Sequence, residues 1–227
     1  NSAAINGDKA NTPAEIQAIV DSYNKILGEA NDADANAGDS VADATPLADP
    51  LASDYAAIGA DIGAAATDAE NLALLNDIIG AAQRGDVDSV AEINELARIA
   101  NAIQATAAGN GAGVSPALTP ADYAKIGLSG VSDNNFAALA AGIAAKADDG
   151  AATDSLAELQ AIIDGLNNAA AEIGAAAEQN NANALSAQKY ADAGITGVDA
   201  DNLAAINDAL NSAAINGDKA NTPAEIQ

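Results

Sequence analysis

The feature that most constrains this chain is an internal repeat without mismatches. Residues 1–17 and residues 211–227 carry the same string, NSAAINGDKANTPAEIQ, at an offset of 210 positions. Because a match of this length does not arise by chance, we expect a parent sequence that repeats every 210 residues, the alternative being an artificial duplication. Residues 18–27 follow the first occurrence, so their sequence, AIVDSYNKIL, indicates what would follow the second. The chain lacks Met, and we expect it to be a window of a longer protein.

A weaker repeat occurs three times within this period. The three segments, called here copy one, copy two and copy three, begin at Asp54, Asp122 and Lys189. Each contains a tyrosine that is followed four residues later by a glycine: Tyr55 and Gly59, Tyr123 and Gly127, Tyr190 and Gly194. Glycine just past a helix end adopts the left-handed conformation without steric cost, so each pair predicts the end of a first helix. We expect the tyrosines to lie in the core.

Each copy continues with the pattern of a second helix. Side-chain oxygens at Ser132, Asp133 and Asp199 are placed to accept from the free N–H groups at its start. Large apolar residues then recur at i, i+3 and i+7, which is one face of a helix. They are Leu72, Leu75 and Ile79; Phe136, Leu139 and Ile143; and Leu203, Ile206 and Leu210. We interpret Phe136 as a core residue, the alternative being an exposed anchor for a partner.

A third helix is predicted by the string Thr-Pro-Ala-Glu at residues 12–15 and 222–225. It combines an N-cap Thr, Pro at the first helical position and Glu at the third, which is a capping box. After residues 12–15 the apolar face continues as Ile16, Ile19, Val20, Tyr23, Ile26 and Leu27.

Three amphipathic helices with short loops predict an antiparallel three-helix bundle, and no segment alternates with the two-residue period of a strand. The predicted fold class is all-α, with tandem three-helix bundles joined by helical or Gly/Asn/Asp-rich linkers. The predicted segments are 1–27, the end of helix two and helix three of a unit; 28–49, an acidic linker; 50–106, a three-helix unit; 107–118, a linker; 119–168, a three-helix unit; and 169–227, a connector helix with an incomplete unit that a copy of 1–27 completes.

Two stretches of sequence resemble a known module. The text YAKIGLSGVSDNNFAALAAGIAAKA with SLAELQAIID in copy two, and YADAGITGVDADNLAAINDAL in copy three, are similar to the GA module. That module is the three-helix bundle of bacterial surface proteins and is best known for binding albumin. The whole composition also resembles the repeat regions of giant secreted bacterial adhesins and surface-layer proteins. The resemblance implies an extracellular location and a repeat fold. It does not extend to albumin binding, since Ala, Asn and Asp flank the second helix, where partners of that family dock.

The charge balance excludes several classes of partner. The chain has 33 acidic and 8 basic residues, a formal net charge of −25. Nucleic acids and anionic membrane surfaces both require Lys and Arg, so we expect neither as a partner. No apolar run is long enough for membrane insertion. Without Cys or His, no catalytic constellation stands out, and we expect a protein that is not an enzyme.

One acidic segment has the spacing of metal ligands. Asp32, Asp34, Asn36 and Asp43 resemble a calcium loop, because alternating carboxylate and amide oxygens on one turn suit Ca²⁺. Gly38 stands one place later than such a loop requires, and the last ligand is Asp rather than Glu. The alternative is an acidic linker that needs no cofactor.

These observations favour a structural function. We predict a spacer or scaffold in an extracellular bacterial surface adhesin, fibre or filament, whose partners are neighbouring copies of the same repeat joined head to tail. The alternative is a binding module that captures a host or environmental protein, for which the sequence offers no cluster of aromatic or Arg residues.

Overall fold

The computed structural model describes residue 5 and residues 10–30, 49–146, 151–212 and 214–227. The regular elements in these ranges are α-helices and short 3₁₀ turns, and these ranges contain no strand. The predicted all-α class is therefore confirmed. The abundance of alanine explains this result, because Ala has the highest intrinsic helix propensity.

The chain forms two compact units. The first contains Asn1–Leu118, Lys125–Gly127 and Ala147–Leu156, and the second contains Thr119–Ala124, Leu128–Lys146 and Ala157–Gln227.

The first unit is built mainly from four helices in its described part. They are α1 (Pro13–Glu29), α2 (Ala52–Ala57), α3 (Ala69–Ala81) and α4 (Val90–Ala107). Helix α1 packs against α2, and α3 packs against α4. The large buried side chains are Ile26, Tyr55, Leu74, Leu75, Ile78, Ile79, Ile93, Ile99 and Ile103. Each such side chain stabilises the fold by about 1.5–3 kcal/mol through removal of apolar surface from water.

The second unit contains the remaining helices of the described chain. They are α5 (Pro120–Lys125), α6 (Phe136–Ala144), α7 (Leu156–Glu178), α8 (Ala187–Asp192), α9 (Leu203–Leu210) and α10 (Pro223–Ile226). The last residue of α5 and the first residue of α7 belong to the first unit. One core cluster of the second unit joins Ile173 and Ala177 of α7 to Tyr190 of α8 and Leu210 of α9.

Capping boxes begin α1 and α10, as the sequence predicts. The hydroxyl of Thr12 accepts from the N–H of Glu15 at 3.3 Å, and the carboxylate of Glu15 accepts from the N–H of Thr12 at 2.9 Å. Thr222 and Glu225 form the same pair at 3.3 and 3.1 Å. Together these bonds satisfy N–H groups that a helix start otherwise leaves without partners.

The three glycines after the tyrosines end their helices as predicted. Gly59, Gly127 and Gly194 have φ values of 75°, 85° and 74°. In each case the N–H of the next residue donates to the carbonyl of the tyrosine, at 3.0, 3.0 and 2.9 Å. This hydrogen bond, which spans five residues, is the Schellman ending of a helix.

The acceptors predicted at the start of the second helix act in the turn before it, because Asn202 and Asn135 are the cap residues of α9 and α6 and neither makes a side-chain cap hydrogen bond. The Asp199 carboxylate accepts from the N–H groups of Asp201 and Asn202 at 2.9 and 3.2 Å. The Ser132 hydroxyl instead donates to the side-chain oxygen of Asn135 at 3.4 Å. Asn135 also accepts from the N–H of Ser132 at 2.8 Å, so an amide organises the turn where we expected a hydroxyl.

The connector predicted after residue 168 is continuous with the helix before it. Helix α7 runs for 23 residues, from Leu156 to Glu178, and Asn180 ends it with a φ of 52°. The N–H of Asn181 donates to the carbonyl of Ala176 at 2.8 Å, which gives the same Schellman ending with Asn in the left-handed position. The helix continues because no residue between Leu166 and Glu178 is proline and five of them form a buried apolar face: Ala169, Ala170, Ile173, Gly174 and Ala177.

Acid should remove one stabilising contribution from the first unit. Glu95 accepts from Arg98 Nε at 2.8 Å and from Lys125 Nζ at 3.1 Å. The hydrogen bond from Arg98, opposed by burial and supported by Lys125, lowers the pKa of Glu95 from 4.5 to about 2. Because the folded pKa is depressed, this stabilisation is present above pH 4.5 and is lost as pH falls toward 2. Urea unfolding at a series of pH values should give a shallower acid slope for Glu95→Gln than for the parent, and equal slopes would contradict this assignment.

Candidate site for contacts between copies

Four helix starts share the pattern Ser/Thr-x-x-Glu, and they align the third helices of the chain. The starts are Thr12 to Glu15, Ser89 to Glu92, Ser155 to Glu158 and Thr222 to Glu225. In this alignment an amide residue follows five positions after the cap: Gln17, Asn94, Gln160 and Gln227. Seven residues later an asparagine recurs as Asn24, Asn101 and Asn167. The periodicity of apolar residues does not reveal these amides, because it identifies buried faces and not polar side chains.

In copy two the amides join the third helix to the loop before the second. Asn135 donates to the side-chain oxygen of Asn167 at 2.7 Å, and Asn167 donates to the carbonyl of Gly130 at 2.9 Å. On the same face of α7, two turns nearer its N-terminus, Gln160 accepts from the N–H of Ser129 at 3.0 Å. We call Asn135, Gln160 and Asn167 the amide cluster of copy two. It fixes the loop to the helix through donors and acceptors that face one another.

Copy one contains an equivalent amide cluster, formed by Asn71, Asn94 and Asn101. Asn71 donates to the side-chain oxygen of Asn101 at 2.7 Å, and Asn101 donates to the carbonyl of Ile62 at 2.8 Å. Asn94 accepts from the N–H of Asp61 at 2.8 Å. The loop here is four residues longer than in copy two, yet the same three positions hold it.

Copy three contains two amides equivalent to members of these clusters, Gln227 and Asn202. Gln227 accepts from the N–H of Thr196 at 2.9 Å, as Gln160 does from Ser129. Asn202, which corresponds to Asn135, donates to the carbonyl of Gly197 at 2.7 Å. Asn202 is half-buried, whereas Asn71 and Asn135 are buried. The same difference holds one turn further along the second helix, where Ile206 is half-buried and its equivalents Leu75 and Leu139 are buried.

The first half of α1 is more exposed than the equivalent parts of α4 and α7. Its Ile16 is 50% exposed and its Val20 is 44% exposed. At the equivalent positions of α4 and α7 every side chain is buried: Ile93 and Ala97, and Leu159 and Ile163. Of the apolar face predicted for this helix, Ile16 and Val20 are exposed and Ile26 is buried, whereas the remaining members are half-buried: Ile19, Tyr23 and Leu27.

Each of copies one and three also contains a buried tyrosine that donates to an asparagine. Tyr55 Oη donates to Asn76 Oδ1 at 2.7 Å, and Asn76 Nδ2 donates to the carbonyl of Pro50 at 3.0 Å. Tyr190 donates to Asn207 at 2.6 Å, and Asn207 donates to the carbonyl of Leu185 at 3.1 Å. The predicted burial of the tyrosines is confirmed, because all three are at most 1% exposed. These bonds satisfy polar groups that would otherwise be costly to bury.

Copy two replaces this asparagine with alanine and packs its tyrosine differently. Ala140 stands at the position of Asn207, and the ring of Tyr123 meets the ring of Phe136 edge to face, with centroids 6.0 Å apart. An edge-to-face pair of this kind adds about 0.5–1.5 kcal/mol to the area that it buries. Phe136, which we expected in the core, is half-buried, and this ring contact gives it a packing role at the edge of the core.

Alkaline solution should weaken the second unit through Tyr190. Burial raises the pKa of Tyr190 from 10 to about 12. The folded state holds the proton more tightly, so the stabilisation is complete below pH 10 and is lost as pH rises through 12. Urea midpoints followed by tyrosinate absorbance, which no Trp obscures, should fall across this window, and Tyr190→Phe should reduce the fall. A pH dependence unchanged by Tyr190→Phe would contradict the assignment.

A cleft of about 490 Å³ opens in the second unit, between α6, α7 and α8. Alanine and glycine line most of it, and Lys189 forms an ion pair with Glu172 beside it. The hydrogen bond that Lys189 donates to the carboxylate of Glu172 raises the pKa of Lys189.

The predicted calcium ligands Asp32, Asp34, Asn36 and Asp43 lie outside the described residues. Within the described ranges no group of three or more His, Cys, Asp or Glu side chains is arranged to hold a metal ion. A search of the same residues finds no helix with the length and apolar character needed to cross a membrane.

Comparisons of the whole chain with protein-family models, with curated proteins and with solved structures find no match.

Proposed function

We propose that this chain is a structural segment of a bacterial cell-surface protein, in which three-helix units follow one another and act as a spacer or scaffold. The observation that carries the proposal is helix α7. Its first half contributes Leu159 and Ile163, beside the amide cluster of copy two, and its second half contributes Ile173 and Ala177 to the core of copy three. One helix therefore serves two consecutive copies.

A shared helix is well suited to a spacer. A continuous helix contains no flexible joint, so the direction of one copy is transmitted to the next. Solenoid proteins use the same principle, because each repeat buries its apolar surface against its neighbours. The recurrence of the amide cluster in copies one and two supports units of one design.

The resemblance of copies two and three to GA modules supports both the three-helix unit and the extracellular location. The net charge of −25 fits this location, since a salt-rich medium screens repulsion between carboxylates over a short distance. The same charge keeps neighbouring molecules apart and soluble.

The proposal is tested with arrays of one, two and four periods, made by continuing the chain after Gln227 with residues 18–227. A spacer predicts a maximum dimension, measured by small-angle X-ray scattering, that grows by a constant increment per period. A matched array in which a Gly-Ser segment is inserted between Asn168 and Ala169 should grow less steeply, because the shared helix is interrupted while the core residues of both copies are retained. Arrays whose dimension grows only as a compact globule does would overturn the proposal.

A further inference from the structure

The first half of α1 and the second helix of copy three each contain apolar positions that are less buried than their equivalents in the other copies. Ile16 and Val20 are exposed on α1, although their equivalents in α4 and α7 are buried. Ile206 and Asn202 are half-buried, although their equivalents in copies one and two are buried. The first half of α1 therefore exposes positions that are buried in α4 and α7. The second helix of copy three exposes part of the positions that are buried in copies one and two.

The register between these surfaces follows from the residues already in place. The capping box of α10 repeats that of α1, and Ile226, equivalent to Ile16, packs against the core cluster of copy three. Gln227, equivalent to Gln17, bonds to Thr196. Copy three therefore already binds the first turn of a helix with the sequence of α1.

The remainder of α1 has the side chains that this position requires. Asn24 lies where Asn101 and Asn167 bond to the asparagines of their own copies. Gln17 donates to Asp21 at 2.8 Å, as Gln160 donates to Asp164 at 2.8 Å, so the surface of α1 already has the conformation seen in copy two. Ile19 and Val20 are large aliphatic residues between Gln17 and Asn24, and Val20 is 44% exposed.

We propose that a second copy of residues 18–30, following Gln227 in register, completes copy three. The counterpart of Val20 covers Ile206, and the counterpart of Asn24 accepts a hydrogen bond from Asn202, as Asn167 accepts from Asn135. The partner is thus the chain's own sequence from the next period, which rests on the tandem arrangement proposed above. The contact makes the junction between periods equivalent to the one that α7 forms between copies two and three.

The test compares the full chain with the same chain extended after Gln227 by AIVDSYNKILGEA, the sequence of residues 18–30. Hydrogen exchange is measured at the amides of Asn202–Leu210. Completion of the core predicts exchange about tenfold slower or more in the extended chain, at a rate independent of protein concentration. A matched extension that carries the counterparts of Val20→Asp and Asn24→Ala should give no such slowing.

Unchanged exchange in the extended chain, or equal slowing by the parent and substituted extensions, would overturn the proposed interface. Slowing that depends on protein concentration would also overturn it, because contacts between separate chains would then be the cause. Failure here differs from failure of the spacer role. If arrays lengthen with each period while the amides of Asn202–Leu210 stay unprotected, the spacer is supported and the interface is rejected. If these amides are protected in arrays that do not lengthen, the interface is supported and the spacer is rejected.

Discussion

Gly194→Ala should lower the free energy of unfolding of the second unit by about 2–4 kcal/mol. Gly194 has a φ of 74°, where an L side chain is strained. Its added Cβ would also lie 2.5 Å from the Cβ and 3.2 Å from the Cα of Ala138 in α6. Because the second atom belongs to the backbone, α6 or α8 has to move, and strain and overpacking add. Native-state hydrogen exchange of the α8 and α9 amides measures this unit by itself.

Gly197→Ala is the matched control for this prediction. Gly197 lies in the same loop with a φ of 80°, and its added Cβ would meet no atom within 4 Å. Only the left-handed conformation is penalised there, so we expect a loss of about 1–2 kcal/mol. If the two substitutions cost the same, the close approach of Gly194 to Ala138 does not contribute, and that part of the explanation fails.

Ile93→Ala should destabilise the first unit by about 2–5 kcal/mol, whereas Ile16→Ala should cost less than about 1 kcal/mol. The residues occupy the same position of two equivalent helices, but Ile93 is fully buried and Ile16 is 50% exposed. The first substitution creates a cavity. The second removes surface that water already contacts and gains helix propensity. Urea unfolding followed by circular dichroism measures both.

Equal losses from Ile93→Ala and Ile16→Ala would show that Ile16 is covered in solution. The same pair has a further use in a two-period chain. There the counterpart of Ile16 at the junction is Ile226, which packs against the core cluster of copy three, and alanine at that position should cost more than it does at residue 16. A cost that stays below about 1 kcal/mol at the junction would contradict burial there.

Most of the local structure could be predicted from the sequence, because its causes are local. Thr12 and Glu15 satisfy each other's backbone groups within one turn, so the start of α1 depends on no distant residue. Gly59 ends α2 for a similar reason, since only the conformational freedom of glycine is needed. Apolar spacing placed Leu75 and Ile79 on one buried face, because a helix brings residues three and four apart together.

The amides could not be predicted in this way. Asn76, Asn101 and Asn207 resemble surface residues in composition, and hydropathy assigns them no partner. Their role depends on where Tyr55, Asn71 and Tyr190 lie, and those positions follow only from how the helices pack. The continuity of α7 through copies two and three could not be predicted either, because helix propensity alone does not show at which residue a helix changes the neighbours that it packs against.

The sequence by itself determined the helical class, the starts of α1 and α10, the ends of α2, α5 and α8, and which faces are apolar. Only the tertiary structure decided which of those faces are covered: the same face of the third helix is buried in α4 and α7 and exposed in the first half of α1. The physical reason is that hydrophobic periodicity shows which face of a helix is stabilised by burial, but not whether another helix covers that face. Burial and hydrogen bonding require the two packed surfaces to be in contact.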